Sequence, residues 1–221
     1  MMFKDLLSFL AALKRNNNRE WFEANREKFE TLKQDFINVV GQIIEGIGTA
    51  DPAIKSLNAK DCIFRQYRDI RFSKDKTPYK THIGAYMNKG GKKTNTAGYY
   101  IHIEPGQSLI AGGLYHPETV HLRNVRQEID YNLREWEQLT GDKNFKKYFP
   151  GGISVEDSLK RPPRGYDVKD PAIKYLMLKS FVFTKPLPDA DLIALKDSKP
   201  LIKSFTALTP VVNFLNRADI L

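Results

Sequence analysis

Between residues 17 and 47, Phe22, Phe29, Leu32, Phe36, Val39, Val40, Ile43, Ile44 and Ile47 recur with three-and-four spacing, laying one apolar stripe along a helix. A stripe of that length must be covered, so the chain has to build a second layer against it. Asn17, with Glu20 three residues on, reads as a capping pair at its start, and Gly46 with Gly48 supplies a stop. Gly41, inside the stripe, marks either a bend or a close packing contact.

The period changes to two between Ile63 and Tyr115. Tyr99, Ile101 and Ile103 alternate with Tyr100, His102 and Glu104, the pattern of a half-buried strand. Runs at Ile63–Tyr67, Ile83–Asn88 and Ser108–Tyr115 read as its neighbours, with Gly90-Gly91 and Pro105-Gly106 as turns between them. The expectation is an antiparallel meander, in which Gly112-Gly113 marks a bulge or a close backbone approach. Helical spacing returns over 118–139 through Leu122, Val125, Ile129, Leu133, Trp136 and Leu139. The Pro- and Gly-rich stretch 150–167 reads as a structured loop, with an extended edge at Leu159–Pro162. Asp170-Pro171 opens a short helix to about Met177, Leu178–Thr184 reads as a strand, and 189–218 as terminal helices. The expected class is therefore α+β: a central, mainly antiparallel sheet with two long helices and shorter C-terminal helices packed on it.

No repeat, low-complexity tract or long linker divides the 221 residues, so 1–221 reads as one domain. Apolar residues at 41% and charged residues at 28% are an ordinary globular mixture. The stretch Leu6–Leu13 lacks the basic lead and small-residue cleavage site of a signal peptide and reads as a short amphipathic helix. No run approaches the roughly 18 apolar residues of a membrane span, so no membrane partner is expected. A lone Cys62 forms no internal disulfide and fits a reducing compartment, the cytoplasm by default. Net charge is +9, and residues 60–93 hold ten lysines and arginines against three aspartates. Such a segment concentrates anions near it.

The most distinctive block is RQYRDIRFSKDKTPYKTHIGAY, 65–86. With it go NNNREWFEANR (16–26), GYYIHIEPG (98–106), AGGLYHP (111–117) and LKRPPRGYD (159–167). In this order, over nearly the whole chain, the blocks resemble the bacterial and fungal family catalogued as domain of unknown function 2461. The resemblance implies an α+β fold and brings no established activity, cofactor or catalytic residue.

Read physically, Arg68, Arg71, Lys74, Lys76 and Lys80 interleave with Tyr67, Phe72 and Tyr79, so a loop between strands offers cations and hydroxyls to an anion. The expected ligand is a small molecule bearing phosphate or carboxylate, held by Arg68, Arg71, Lys74, Lys76, Tyr79, Lys80 and His82. Arg164, with Arg161 beside Pro162-Pro163, joins them if its loop folds over the site. His82 is a general acid or base if it lines that site. The bland alternative pairs the arginines with Asp69, Asp75 or helix carboxylates and leaves the lysines solvated.

Nucleic acid is a second candidate partner, with the tyrosines as stacking platforms, although no RNA-recognition, KH or zinc-finger signature is legible. A structural or protein-interaction domain without ligand is a third. His102-x-Glu104, with His116 or His121 downstream, has the two-histidine, one-carboxylate composition of a non-haem iron site. The short interval between these residues weighs against it, and no metal ligand is assigned. No nucleophile elbow, Walker loop or dinucleotide fingerprint occurs, which removes motif support for the common hydrolase, nucleotidase and dehydrogenase designs. Cys62, ahead of an apolar run, reads as a small buried residue.

Overall fold

The long apolar stripe is carried by two helices, α2 (Arg19–Ala24) and α3 (Arg26–Ile47), which follow the N-terminal α1 (Met2–Arg15). The computed structural model describes residues 2–92 and 94–218; Lys93, counted in the basic segment, lies outside them. The break falls at Asn25, whose backbone leaves the helical region at φ −113°, ψ 12°. Its side-chain amide donates to the Trp21 carbonyl at 2.9 Å, a local bond that competes with helix continuation. The N-cap is Asn18, which accepts from the Trp21 N–H, and not Asn17. Asn17 instead holds the backbone of Tyr79 in both directions, donating to its carbonyl at 2.9 Å and accepting from its N–H at 3.1 Å. Gly41 meets only the Ala59 Cβ, at an ordinary 3.9 Å, so no tight contact explains it.

After a 3-10 turn at Pro52–Ile54 and the single-turn α4 (Ala59–Cys62), the sheet begins. Strands β1 (Ile83–Asn88), β2 (Gly98–Ile103), β3 (Leu109–Leu114) and β4 (Phe181–Pro186) lie in the order β1-β2-β3-β4, antiparallel throughout. The expected strand at 63–67 is reduced to isolated bridges, Ile63 with Ala85 and Tyr67 with Tyr79. There the Gln66 side-chain amide takes the carbonyls of Lys80 and His82, so a side chain does part of what a backbone ladder would. Gly112 and Gly113 sit in unbroken register with β4 and form no bulge. The close-approach reading holds instead. A Cβ on Gly113, at φ 121°, would stand 1.9 Å from the Phe181 carbonyl oxygen, and one on Gly112 would stand 2.5 Å from a Leu208 methyl.

Between β3 and β4 run α5 (Thr119–Tyr131), α6 (Leu133–Gly141), α7 (Lys143–Tyr148) and α8 (Ile173–Leu176). The helix expected over 118–139 thus splits at Asn132, whose amide donates to the Glu128 carboxylate at 2.9 Å. The 150–167 loop lies along β4 and the segment that joins α8 to it, through bridges Ile153–Phe183 and Ser158–Leu178. Two helices close the chain, α9 (Asp189–Ala194) and α10 (Lys199–Arg217).

One face of the sheet carries Tyr99, Ile101, Ile103, Phe181 and Phe183, all fully buried. Each such side chain contributes about 1.5–3 kcal/mol relative to exposure. The helix directly over the middle strands is α10, and α3 packs in turn on α10. Trp136 of α6 closes the β4 end, with ring centroids 6.3 Å from Phe181, 6.1 Å from Phe183 and 5.2 Å from Phe214. All of this stands on one side, so the helices leave the other face of the sheet with little cover. Among the described residues, no helix is long and apolar enough to cross a membrane.

Candidate functional site

The uncovered face presents Tyr86, Tyr100, His102, Leu109, Ala111, Val182 and Thr184, the alternates of the buried set. Over it lies a half-enclosed cavity of about 590 Å³. Ala111, Gly113 and Val182 line the floor, and Thr94, Asn95, Thr96, Phe64, Lys92 and Tyr115 stand around it. The volume is that of an ordinary small-molecule site, and the lining is mostly apolar with a few polar groups. Tyr86 donates its hydroxyl to the Thr96 carbonyl at 2.8 Å, which ties the 89–97 loop to the floor.

Lys92 lines the cavity beside Phe64. Lys80 and Lys92 stand over the Phe64 ring, 5.4 and 5.7 Å from its centroid. Burial, then the positive charges of Arg65 and Lys92, push the Lys80 ammonium below the usual lysine range. Among the described residues, no carboxylate pairs with Arg65, Lys80 or Lys92; the Lys92 ammonium donates to the Ile63 carbonyl.

A polar chain runs along β2 from the floor of the cavity. The Tyr100 hydroxyl meets His102 Nδ1 at 2.9 Å, and His102 Nε2 meets Glu104 Oε2 at 3.1 Å. Thr81 Oγ1 donates to the other carboxylate oxygen, Oε1, at 2.9 Å. Burial pushes Glu104 upward, but the hydrogen bonds from His102 and Thr81 outweigh it and hold the carboxyl below its usual range. The His82 ring lies tilted against His102, with centroids 4.3 Å apart. Burial, with His102 beside it, pushes His82 down to about 4, so the imidazole is neutral at pH 7. Tyr100 is pushed up to about 12 by burial and then by Glu104, so its hydroxyl stays protonated. Gly84 makes room for this arrangement, because a Cβ there would stand 2.8 Å from the Tyr100 hydroxyl oxygen.

The residues expected to hold an anion are dispersed by the fold. Arg68 is consumed by Asp75 and Thr77, and Arg71 by a two-pronged pair with Asp69, its Nη2 at 2.7 Å. Both lie in the 67–79 excursion, closed at its base by the Arg68 N–H to Pro78 carbonyl bond at 2.9 Å. Lys76 donates to the Ile70 carbonyl at 3.0 Å, and Lys74 is exposed. Tyr79 is a core residue, stacked on Phe22 at 4.0 Å. Arg164 is exposed in the 150–167 loop, which runs along β4, whereas the 67–79 excursion leads into β1 at the opposite edge of the sheet. Of the eight, Lys80 and His82 reach the open face. The sequence reading missed Arg65, Lys92, Phe64 and Tyr100 as a group, because only strand pairing and loop closure bring them together.

The downstream histidines are also dispersed. His116 pairs with Asp157 at 3.4 Å, and His121 is buried on α5. The third partner of His102 and Glu104 is His82, upstream, and one donor atom from each of the three lies within 4.8 Å of the others.

Fold and site together define an α+β protein in which a four-stranded meander is covered by helices on one face and carries a half-enclosed cavity on the other. The chain belongs to the family described as conserved hypothetical protein (DUF2461), whose model matches residues 5–214. Neither a curated protein nor a solved structure matches the chain.

Proposed function

We propose that the protein binds a small molecule with an apolar body and a phosphate or carboxylate group on the open face of its sheet, in the cytoplasm, where Cys62 stays reduced. One observation carries this reading: Lys80 and Lys92 share the ring of Phe64, which lines the cavity with Lys92, and among the described residues neither lysine is paired with a carboxylate. An anion beside these lysines offsets mutual repulsion that already exists in the free protein, so its binding gains more than the same anion at a solvated lysine would. The apolar floor at Ala111, Gly113 and Val182 takes the rest of the ligand.

A thermal-shift screen against sugar phosphates, nucleotides and aliphatic or aromatic carboxylates tests it, since a ligand that prefers the folded state raises apparent stability. The expected result is a rise with one chemical class that persists at moderate salt and is lost in Lys80→Met and Lys92→Met. Indifference to every small anion, or a rise only with oligonucleotides that fades steeply with salt, would overturn it; the second result would make the basic face a nucleic-acid surface.

A further inference from the structure

We propose that His82, His102 and Glu104 form a binding site for one divalent first-row transition-metal ion. The site stands on the strand pairing and is independent of the anion reading.

Antiparallel register builds it. Ile83 pairs with Ile103 and Gly84 with His102, so one step back along β1 brings His82 opposite Glu104. His102 lies two residues earlier on the same face of β2, the diagonal neighbour of His82. Residues 20 apart in the chain thus come together with one donor atom each inside 4.8 Å. Zinc-type bonds of about 2.0–2.2 Å to imidazole and carboxylate put donors roughly 3–3.5 Å apart, so the set closes on an ion by side-chain rotation. Among the described residues, the His82 ring nitrogens hold no hydrogen bond that such a rotation would break, and its ring contact is the tilted one with His102.

Each of the other two ligands already has the outer partner that metal ligands need. Tyr100 holds His102 at Nδ1, which directs Nε2 toward the centre of the cluster. Thr81 holds Glu104 at Oε1, which directs Oε2 the same way. Without an ion, Nε2 and Oε2 share a proton at 3.1 Å. An ion at Nε2 and Oε2 requires the one proton of the neutral His102 ring to stand on Nδ1, where it is donated to the Tyr100 hydroxyl oxygen, so binding shifts the tautomer and releases no proton. Two neutral imidazoles and one carboxylate suit zinc, iron, cobalt or nickel better than magnesium or calcium. Three protein ligands leave at least one coordination position open, beside the Tyr100 that lines the cavity. The adverse charge is Lys80, whose field acts on His82.

The test uses chelator-stripped full-length protein titrated with Zn²⁺ by calorimetry and with Co²⁺ by visible absorption. The expected result is one equivalent per chain, with no net proton release from the ligands, and visible cobalt d–d bands. His82→Gln and Glu104→Gln should each weaken binding at least about tenfold. His116→Gln, remote from the cluster, should leave it unchanged, and matched circular dichroism shows that each variant is folded. Binding below one equivalent, or one equivalent retained at full affinity in both His82→Gln and Glu104→Gln, would overturn the proposal. Loss of metal binding in the cluster variants with anion-induced stabilisation retained separates this site from the lysines at Phe64.

Discussion

Tyr99 donates its hydroxyl to Asp51 at 2.8 Å and lies 3.1 Å from the Thr209 hydroxyl, at a place where Asp51 is only 4% exposed. Removing that hydroxyl leaves one buried carboxylate oxygen without its donor. Tyr99→Phe is therefore expected to cost about 2 kcal/mol, read as a lower urea midpoint with an unchanged m-value. Asp75 acts at the opposite extreme of exposure. The Thr77 N–H, then Arg68 and the Thr77 hydroxyl, hold its carboxyl down at about 2. The unfolded chain titrates this group near about 3.9, so between those values it binds a proton that the native state does not. Its contribution is full above about pH 4 and is lost as pH falls through about 2. Asp75→Ala should lower Tm by no more than about 2 °C at pH 7, because the pair is exposed, and the difference should vanish by pH 2.

At the scale of elements, the two glycines of β3 mark where other parts of the fold approach. Gly113 has both a backbone angle of φ 121° and the Phe181 carbonyl where a Cβ would stand. Gly113→Ala should cost more than about 3 kcal/mol and appear mainly in insoluble material, while Gly112→Ala meets only the flexible end of Leu208 and should cost less. Gly84→Ala crowds the Tyr100 hydroxyl, whose neighbour is His102. This variant should weaken Co²⁺ binding at the proposed metal site without touching a ligand. The periodicities of β1, β2, β3 and the helical stripes were legible because each depends on neighbours within a few residues. The breaks at Asn25 and Asn132 were not, because each turns on one asparagine amide choosing a nearby oxygen over solvent.

Over the whole molecule, α10 is the element the others depend on. It covers β3, packs on α3 and reaches α5 and α6 through Arg217, whose Nη2 lies 2.6 Å from Glu128 and 2.8 Å from Glu135. Glu128 is 5% exposed, so deleting its partner strands a buried charge that keeps only the Asn132 amide. Arg217→Met should cost about 2 kcal/mol, less than a fully buried pair because the arginine is half in solvent, with Glu135→Gln far milder. Equilibrium denaturation of the two variants against wild type would measure the contrast.

The class of fold, the approximate spans of the four strands, the meander of the first three and the position of the basic segment were fixed by local period, turn residues and charge, whereas the helix breaks and the short helices α4 and α7 were not. Tertiary structure decided which cations are spent on Asp69 and Asp75 and which gather at the ring of Phe64. It also decided that His82, and not His116 or His121, meets His102 and Glu104. The physical reason is that pairing between charged or ligating groups depends on distances of a few ångströms across strands, and those distances are set by register and packing between residues far apart in the chain.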